Sequence, residues 1–354
     1  MLALVLAPGV TAGVPLIAGV DRIGAGAGVA SGTAAGGSGG GAVETAVGGF
    51  GRGAAEGSDE GVAGIAAGGS GRGAVEGAGG AGAGAGVAGA MVAAGEPFAS
   101  WVRGGRRFVA FDPAGDGRAV EVVGELRGAE RVVVVVPGVD TTLRDFDRGL
   151  GGVAQRAPAV QARAVYEAVR KRDAGARVAV VAWLGYDPPE GMTLEVARDV
   201  RARAGARELV RFVRGLPAGA EVTLVGHSYG AVVAGLAVRE LPRVRDVVAL
   251  GAPGMGADRV AELGGARVWA ALAAGDWVRR VPQARVGHLG YGVRPSEPEF
   301  GAAALPVDGV RGHDGYLDAG SVTLRATAAV ILGIGRATES GAAQSILTGM
   351  RDAA

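Results

Sequence analysis

The sequence predicts an α/β protein with a doubly wound, mostly parallel sheet, preceded by a Gly/Ala-rich low-complexity leader. Three observations carry this expectation. Arg131-Val-Val-Val-Val-Val136 and Arg177-Val-Ala-Val-Val-Ala-Trp183 are continuous apolar runs, the pattern of strands buried on both faces. Helical periodicity fills the intervals between such runs, and strands alternating with helices imply right-handed crossovers. At the centre, Val222-Thr-Leu-Val-Gly226-His-Ser228-Tyr-Gly230 passes from an apolar strand through a Gly-x-Ser-x-Gly turn into a helix ended by Pro242.

Taken in order, Met1–Val20 is apolar but interrupted by Pro8 and Pro15, and its first side-chain cation is Arg22. Two readings stay open for it: an export signal or weak membrane anchor, and a poorly ordered apolar start. Export, membrane association and a cytoplasmic location are therefore all left standing. Residues 21–95 read as a flexible leader. Positions 21–90 hold 27 glycines, and Gly51-Arg-Gly-Ala-Ala-Glu-Gly57 returns as Gly71-Arg-Gly-Ala-Val-Glu-Gly77. So little bulky apolar material cannot offset the entropy of ordering the backbone.

Composition changes near Pro97, and 96–337 is read as one catalytic-sized domain followed by a flexible tail, 338–354. Arg107-Phe-Val-Ala-Phe111 and Ala119-Val-Glu-Val-Val-Gly124 flank a turn-rich stretch and predict a hairpin. Helical material is expected up to about Arg172, and a long helix from about Thr193 to Arg214. Further strands are expected at Asp246–Leu250 and Val268–Leu272, and Ser321 is placed as the cap of a last helix ending near Gly335.

Composition also removes function classes. The chain has no cysteine, so disulfide scaffolds, thiolate metal sites and cysteine nucleophiles are excluded. Three histidines make a multi-histidine metal site a poor expectation, and neither metal nor organic cofactor is expected. The net charge of +1 is interspersed along the chain, so no nucleic-acid footprint is expected and no specific protein partner is inferred. Lys171 is the single lysine among 36 basic residues, which reads as codon bias.

The strand–turn–helix around Ser228 has the form of a nucleophile elbow. A serine on so sharp a turn sits in strained backbone, and the residues two before and two after it must be nearly free of side chain. Gly226 and Gly230 meet that requirement. The plain alternative is a tight turn with a surface serine. Ligands of open α/β sheets sit beyond the carboxyl ends of the strands, so polar residues that follow strands become candidates. Pro137-Gly-Val-Asp-Thr141 is placed to supply an oxyanion donor. Val139 is the first choice and Asp140 the second, with the N–H of Tyr229 beside the nucleophile.

Asp276, two strands past the elbow, is placed to accept a histidine Nδ1–H. Asp258 and Asp246 compete poorly, and Asp276 also fits a helix cap. For the base, His227 is adjacent to Ser228 and diverges from it. His288 and His313 both remain, with His313 favoured because Ser228…Asp276…His313 follows the α/β-hydrolase chain order. Trp183, Tyr186 and Asp187 end a strand at the same edge. Asp140, Trp183 and Tyr186 are taken as substrate-binding, although Trp183 equally suits packing and Asp187 a turn.

Val135-Val-Pro-Gly-Val-Asp140, Ala182-Trp-Leu-Gly-Tyr-Asp187, Gly226-His-Ser-Tyr-Gly230, Gly251-Ala-Pro-Gly254, Gly275-Asp-Trp277 and Gly312-His-Asp-Gly-Tyr-Leu317 occur in that order. Together they resemble an α/β-hydrolase family of unknown function, mostly from high-GC bacteria, over about residues 105–336. The resemblance implies Ser228, Asp276 and His313 as a triad and brings no substrate. Asp314 leaves a second carboxylate beside His313. The expectation is a serine hydrolase acting on a small-molecule ester or related acyl compound. An acyltransferase on the same residues and a binding protein on a retired hydrolase fold are the alternatives.

Overall fold

A computed structural model describes residues 81–191 and 193–334. The expectations for Met1–Val20, for most of the leader and for the tail 338–354 lie outside them. Helix α1, Ala81–Ala93, falls inside the stretch read as leader and places Met91 in the core. Ordered chain therefore begins before Pro97. A short α2, Phe98–Arg103, leads into the expected hairpin of β1, Arg107–Asp112, and β2, Arg118–Gly124. Then follow β3, Arg131–Val136; α3, Pro158–Arg172; β4, Val178–Leu184; and α4, Val200–Arg214. The elbow joins β5, Glu221–His227, to α5, Tyr229–Val238. Strands β6, Val244–Leu250, and β7, Arg267–Ala271, precede a small hairpin of β8, Arg285–Val286, and β9, Leu289–Gly290. Strand β10, Ala303–Ala304, and helix α6, Val322–Ile331, complete the described chain.

The main sheet has the order β1-β2-β4-β3-β5-β6-β7-β10. Its strands are parallel from β4 to β10, and β1 and β2 pair antiparallel at one edge. The β-branched runs explain the layering. Successive strand side chains point to opposite faces, so Val132, Val134 and Val136 of β3 enter one core with α4 and α5. Val133 and Val135 enter the other, with Val165 and Val169 of α3 and Leu324 and Ile331 of α6. Ser321 caps α6, its hydroxyl accepting the N–H of Leu324 at 3.0 Å.

Helix α4 begins seven residues later than its apolar periodicity suggests. The preceding backbone is engaged elsewhere. Asp199 N–H donates to His288 O at 3.0 Å and Gly290 N–H donates to Ala197 O at 2.8 Å, a strand-like bridge to the β8–β9 hairpin. Residues 194–197 are folded into turns and Arg198 into that bridge, so the helix starts only past them.

One charged network stiffens the antiparallel edge. Glu121, 3% exposed in the middle of β2, receives Arg106 through two bonds of 2.7 Å, and Arg163 of α3 lies 3.8 Å away. The Arg106 guanidinium also sits 4.4 Å over the Trp101 ring. Removing one member of such a buried set leaves the other charge without compensation. Glu121→Ala is therefore expected to lower stability by about 3 kcal/mol, read as a reduced urea midpoint with an unchanged slope.

Candidate active site

The carboxyl ends of the parallel strands bring distant segments together. Ser228 follows β5 and adopts φ 55°, ψ −125°, a left-handed backbone rare for a residue with a side chain. The close approach of its surroundings explains the two elbow glycines. A Cβ at Gly230 would lie 2.1 Å from Val136 O, and one at Gly226 would lie 2.5 Å from Ala231 Cα. Gly138 of the β3 loop has the same constraint, since a Cβ there would lie 2.8 Å from Ser228 Cβ. Ser228 N–H donates to Leu250 O at 2.9 Å, tying the turn to β6.

Asp276 follows β7, with its side chain fully buried. It accepts His313 Nδ1–H, at 2.9 Å from each carboxylate oxygen, and the N–H of Val278 at 2.8 Å. Tyr316 O–H donates to Asp276 Oδ2, while the Tyr316 oxygen accepts Ala273 N–H at 3.0 Å. Burial pushes the Asp276 carboxyl up, but the hydrogen bond and charge of His313, with the Tyr316 and Val278 donors, outweigh it and hold the group below its ordinary value. The structure thus joins Asp276 to His313 through Nδ1, and His313 and Ser228 line one cavity. No hydrogen bond links Ser228 Oγ to His313.

His288 stands apart, its Nδ1 on Asp199 Oδ1 at 2.8 Å and its ring largely exposed. His227 lies against His313, ring centroids 4.7 Å apart, with its Nε2 2.7 Å from His313 O. A carbonyl only accepts, so His227 carries its proton on Nε2. Burial first, and then the facing His313, push its pKa down to about 4, which keeps it neutral.

In the β3 loop, Asp140 also has positive φ, 58°, and its N–H donates to Pro189 O at 3.1 Å. That bond removes Asp140 as an oxyanion donor. The N–H groups of Val139 and Tyr229 have no acceptor among the described residues. The cavity, about 270 Å³, is lined by these loop residues together with Leu150, Arg156, Gln161, Trp277 and Asp314. Arg156 Nε donates to Asp314 Oδ2 at 2.9 Å, so the second carboxylate beside His313 has its own cation.

Two expectations require correction. Trp183 is 1% exposed and stacks on Tyr186, ring centroids 5.8 Å apart, behind the sheet face and away from the cavity lining. Tyr186 is likewise buried, and its hydroxyl donates to Pro137 O at 2.7 Å. It holds the β3 loop from behind and does not meet the cavity. Both were placed by their position at a strand end, which does not report on which face a side chain packs. Gly251, quoted above only within a motif, also has a defined place. At φ 55°, a Cβ there would lie 2.8 Å from Asp276 Oδ2 and 3.0 Å from the His313 ring. Sequence reasoning assigned no role to Tyr316, Arg156 or Gln161. Only Tyr316 carried a usable signal, three residues after His313.

The chain also has relatives among known proteins. A sequence model of the family described as alpha/beta hydrolase matches residues 112–286. This is the α/β-hydrolase fold. Uncharacterized proteins of Mycobacterium bovis and Mycobacterium tuberculosis are each 36% identical over 171 residues, which is 45% of this chain and 62% of theirs. The matched region thus spans less than two thirds of those relatives. A crystal structure described as an α/β serine hydrolase without a lid, from Xanthomonas campestris, aligns with 64% of this chain and 93% of its own. Its sequence identity is 14% and its TM-score 0.37. Among the described residues, no group of three or more His, Asp or Glu is arranged to hold a metal ion, and no helix is long and apolar enough to cross a membrane.

The Asp276 cluster makes a pH-dependent prediction. A carboxyl depressed in the folded state contributes stability above its unfolded pKa of about 3.9 and loses it as pH falls through the folded value. Tyr316→Phe removes a donor to the charged form, expected to cost about 1.5–3 kcal/mol. The deficit against wild type should be full above about pH 4 and shrink below it, leaving the pH-independent share from the unpaired Ala273 N–H. Urea denaturation at a series of pH values measures it.

Proposed function

We propose that this protein is a serine hydrolase that cleaves an ester or related acyl bond through an acyl-enzyme. One observation carries the reading. His313 is held through Nδ1 by the buried Asp276 and lines the same cavity as Ser228, with Nε2 free of any partner among the described residues. In this reading Ser228 Oγ attacks the substrate carbonyl while His313 Nε2 takes its proton. Asp276 fixes the tautomer and stabilises the imidazolium that forms. His313 then donates the proton to the leaving alcohol, and water repeats the sequence on the acyl-Ser228 to release the acid.

The N–H groups of Tyr229 and Val139 would stabilise the oxyanion, each such donor worth about 2.7–4 kcal/mol of barrier. Their lack of acceptors supports that role, because a preorganised donor must be unspent when charge develops. The missing Ser228–His313 hydrogen bond fits this chemistry, since catalytic hydrogen bonds of this kind commonly tighten only around bound substrate.

Labelling with a fluorophosphonate probe, alongside turnover of short p-nitrophenyl esters, tests the proposal. Ser228→Ala should abolish labelling outright. Asp276→Asn should lower kcat by about 10⁴ and His313→Gln by about 10⁶, while the proteins remain folded by circular dichroism. Undiminished labelling of the Ser228 variant would remove this residue from the mechanism.

A further inference from the structure

We infer that Trp277 is the wall of a leaving-group subsite, and that the protein prefers esters whose alcohol carries a flat apolar group, an aromatic ring best of all. The inference rests on the hydrolase reading above and names the alcohol half of its substrate.

Of the four tryptophans, the fold uses three. Trp101 is buried beneath the Arg106 guanidinium, Trp183 is buried and stacked on Tyr186, and Trp269 donates its indole N–H to Asp246 at 2.8 Å. Trp277 belongs to neither hydrophobic core and is 38% exposed, and its indole N–H has no acceptor among the described residues. Its backbone is nevertheless fixed. Asp276 Oδ1 accepts the N–H of Val278 at 2.8 Å, closing a turn around residue 277, and the flanking Asp276 and Val278 are 3% and 1% exposed. With both neighbours turned inward, the indole is turned outward. It packs against the ring of His313, centroids 4.9 Å apart, and lines the cavity that Ser228 also lines. Covering such a ring with an apolar ligand group recovers the transfer free energy that folding left ungained.

Sheet order says which half of the substrate meets it. Ser228 follows β5. The loop that carries Val139 follows β3, next to β5 on one side, and Trp277 follows β7, two strands away on the other. At about 4.8 Å per strand, Trp277 emerges roughly 10 Å from the serine strand, opposite the oxyanion loop. His313 is itself held from the β7 side, by Asp276.

In the proposed reaction the carbonyl oxygen turns to the N–H groups of Val139 and Tyr229. The acyl C–O bond breaks, the acyl carbon stays on Ser228 Oγ, and the proton taken from Ser228 passes through His313 to the departing oxygen. That oxygen must come within hydrogen-bond reach of the His313 ring, so the group it carries lies on the side of the serine where Trp277 packs on the same ring. A flat ring one carbon from the oxygen then meets the indole. Aromatic pairs with centroids about 4.5–7 Å apart gain more than their buried area alone provides, which ranks an aryl group above an alkyl chain.

Two matched ester series separate the halves of the substrate. Methyl, butyl and benzyl acetate vary the alcohol and leave the same acetyl group on Ser228, so their differences arise before deacylation. Methyl acetate, butanoate and phenylacetate vary the acyl group on one alcohol. Relative kcat/KM is read from acid release by wild type, Trp277→Leu and Trp277→Ala or, where turnover is slow, from protection of Ser228 against the fluorophosphonate probe. In wild type, benzyl acetate should exceed methyl acetate by about tenfold, with butyl acetate between them. Trp277→Leu should bring the benzyl ester down to the butyl ester, and Trp277→Ala should bring both within about twofold of the methyl ester. The acyl ratios should move by less than about twofold in either variant. Ratios within one protein are insensitive to the fraction that folds, and the leucine variant keeps apolar bulk at the site should the alanine variant fail to fold. A wild-type benzyl-to-methyl ratio near unity would overturn the inference. So would alcohol ratios that survive the substitutions, acyl ratios that fall as far as the alcohol ratios, or a labelled Ser228 that none of the five esters protects or turns over. Absence of probe labelling in wild type would instead sink the hydrolase reading itself.

Discussion

Everything at the site depends on Ser228 being held in a backbone conformation that side chains avoid. A residue in such a region costs on the order of 1–3 kcal/mol, and here the surroundings impose it. Helix α5 starts directly after the serine, and all ten of its residues are buried. Burial of Val232, Val233, Leu236 and Val238 alone represents on the order of 6–12 kcal/mol of gross apolar transfer, an upper figure that still exceeds the strain. The helix is therefore driven onto the sheet. The contact distances show backbone against backbone at Gly226 and Gly230, and backbone against the Ser228 Cβ at Gly138, with no room for a methyl group. The turn is where that packing places the chain, and the serine takes the conformation left to it.

Two buried aspartates on neighbouring strands show how one residue type is put to different ends. Asp246, fully buried at the start of β6, receives Arg267 through two bonds of 2.9 Å and the Trp269 indole N–H at 2.8 Å. A guanidinium is always charged, so that carboxylate is permanently compensated and the pair joins β6 to β7 at the amino ends of the strands. Asp276, past the carboxyl end of β7, is held by neutral donors and by a histidine. Its compensation changes with the protonation of that ring. The proposed mechanism asks this carboxylate to stabilise an imidazolium more than an imidazole. The strand ends at which the two carboxylates sit differ in what can reach them.

Much of this arrangement was legible before any coordinates. Period-two burial demands β-branched runs, so β3, β4 and β5 declared themselves. Steric exclusion demands glycine, so the elbow did too. Features that depend on partners far along the chain were hidden. The start of α4 is set by bonds from Ala197 and Asp199 to a hairpin ninety residues away, which no local periodicity contains. The two-residue strands β8, β9 and β10 are too short to show alternation. Trp183 and Tyr186 were placed at the correct sheet edge but on the wrong surface, because a strand end marks a location without an orientation.

The histidine loop illustrates how weak contacts give a defined geometry. Arg156 is 40% exposed along its side chain, so its pair with Asp314 is screened and contributes roughly 0–1 kcal/mol. Yet it connects residues 158 positions apart and fixes the loop from the cavity side. His227 fixes the same loop from beneath through the His313 carbonyl, and Tyr316 fixes it from behind through Asp276. Ala273 N–H in turn orients the Tyr316 hydroxyl. Each bond alone leaves the loop a rotation. Three anchors on residues 313, 314 and 316 approach from different elements and leave it almost none. The imidazole orientation is thus a property of the whole strand-end layer, and the small glycine Gly251 beneath the ring is what allows Asp276 and His313 to come together over β6.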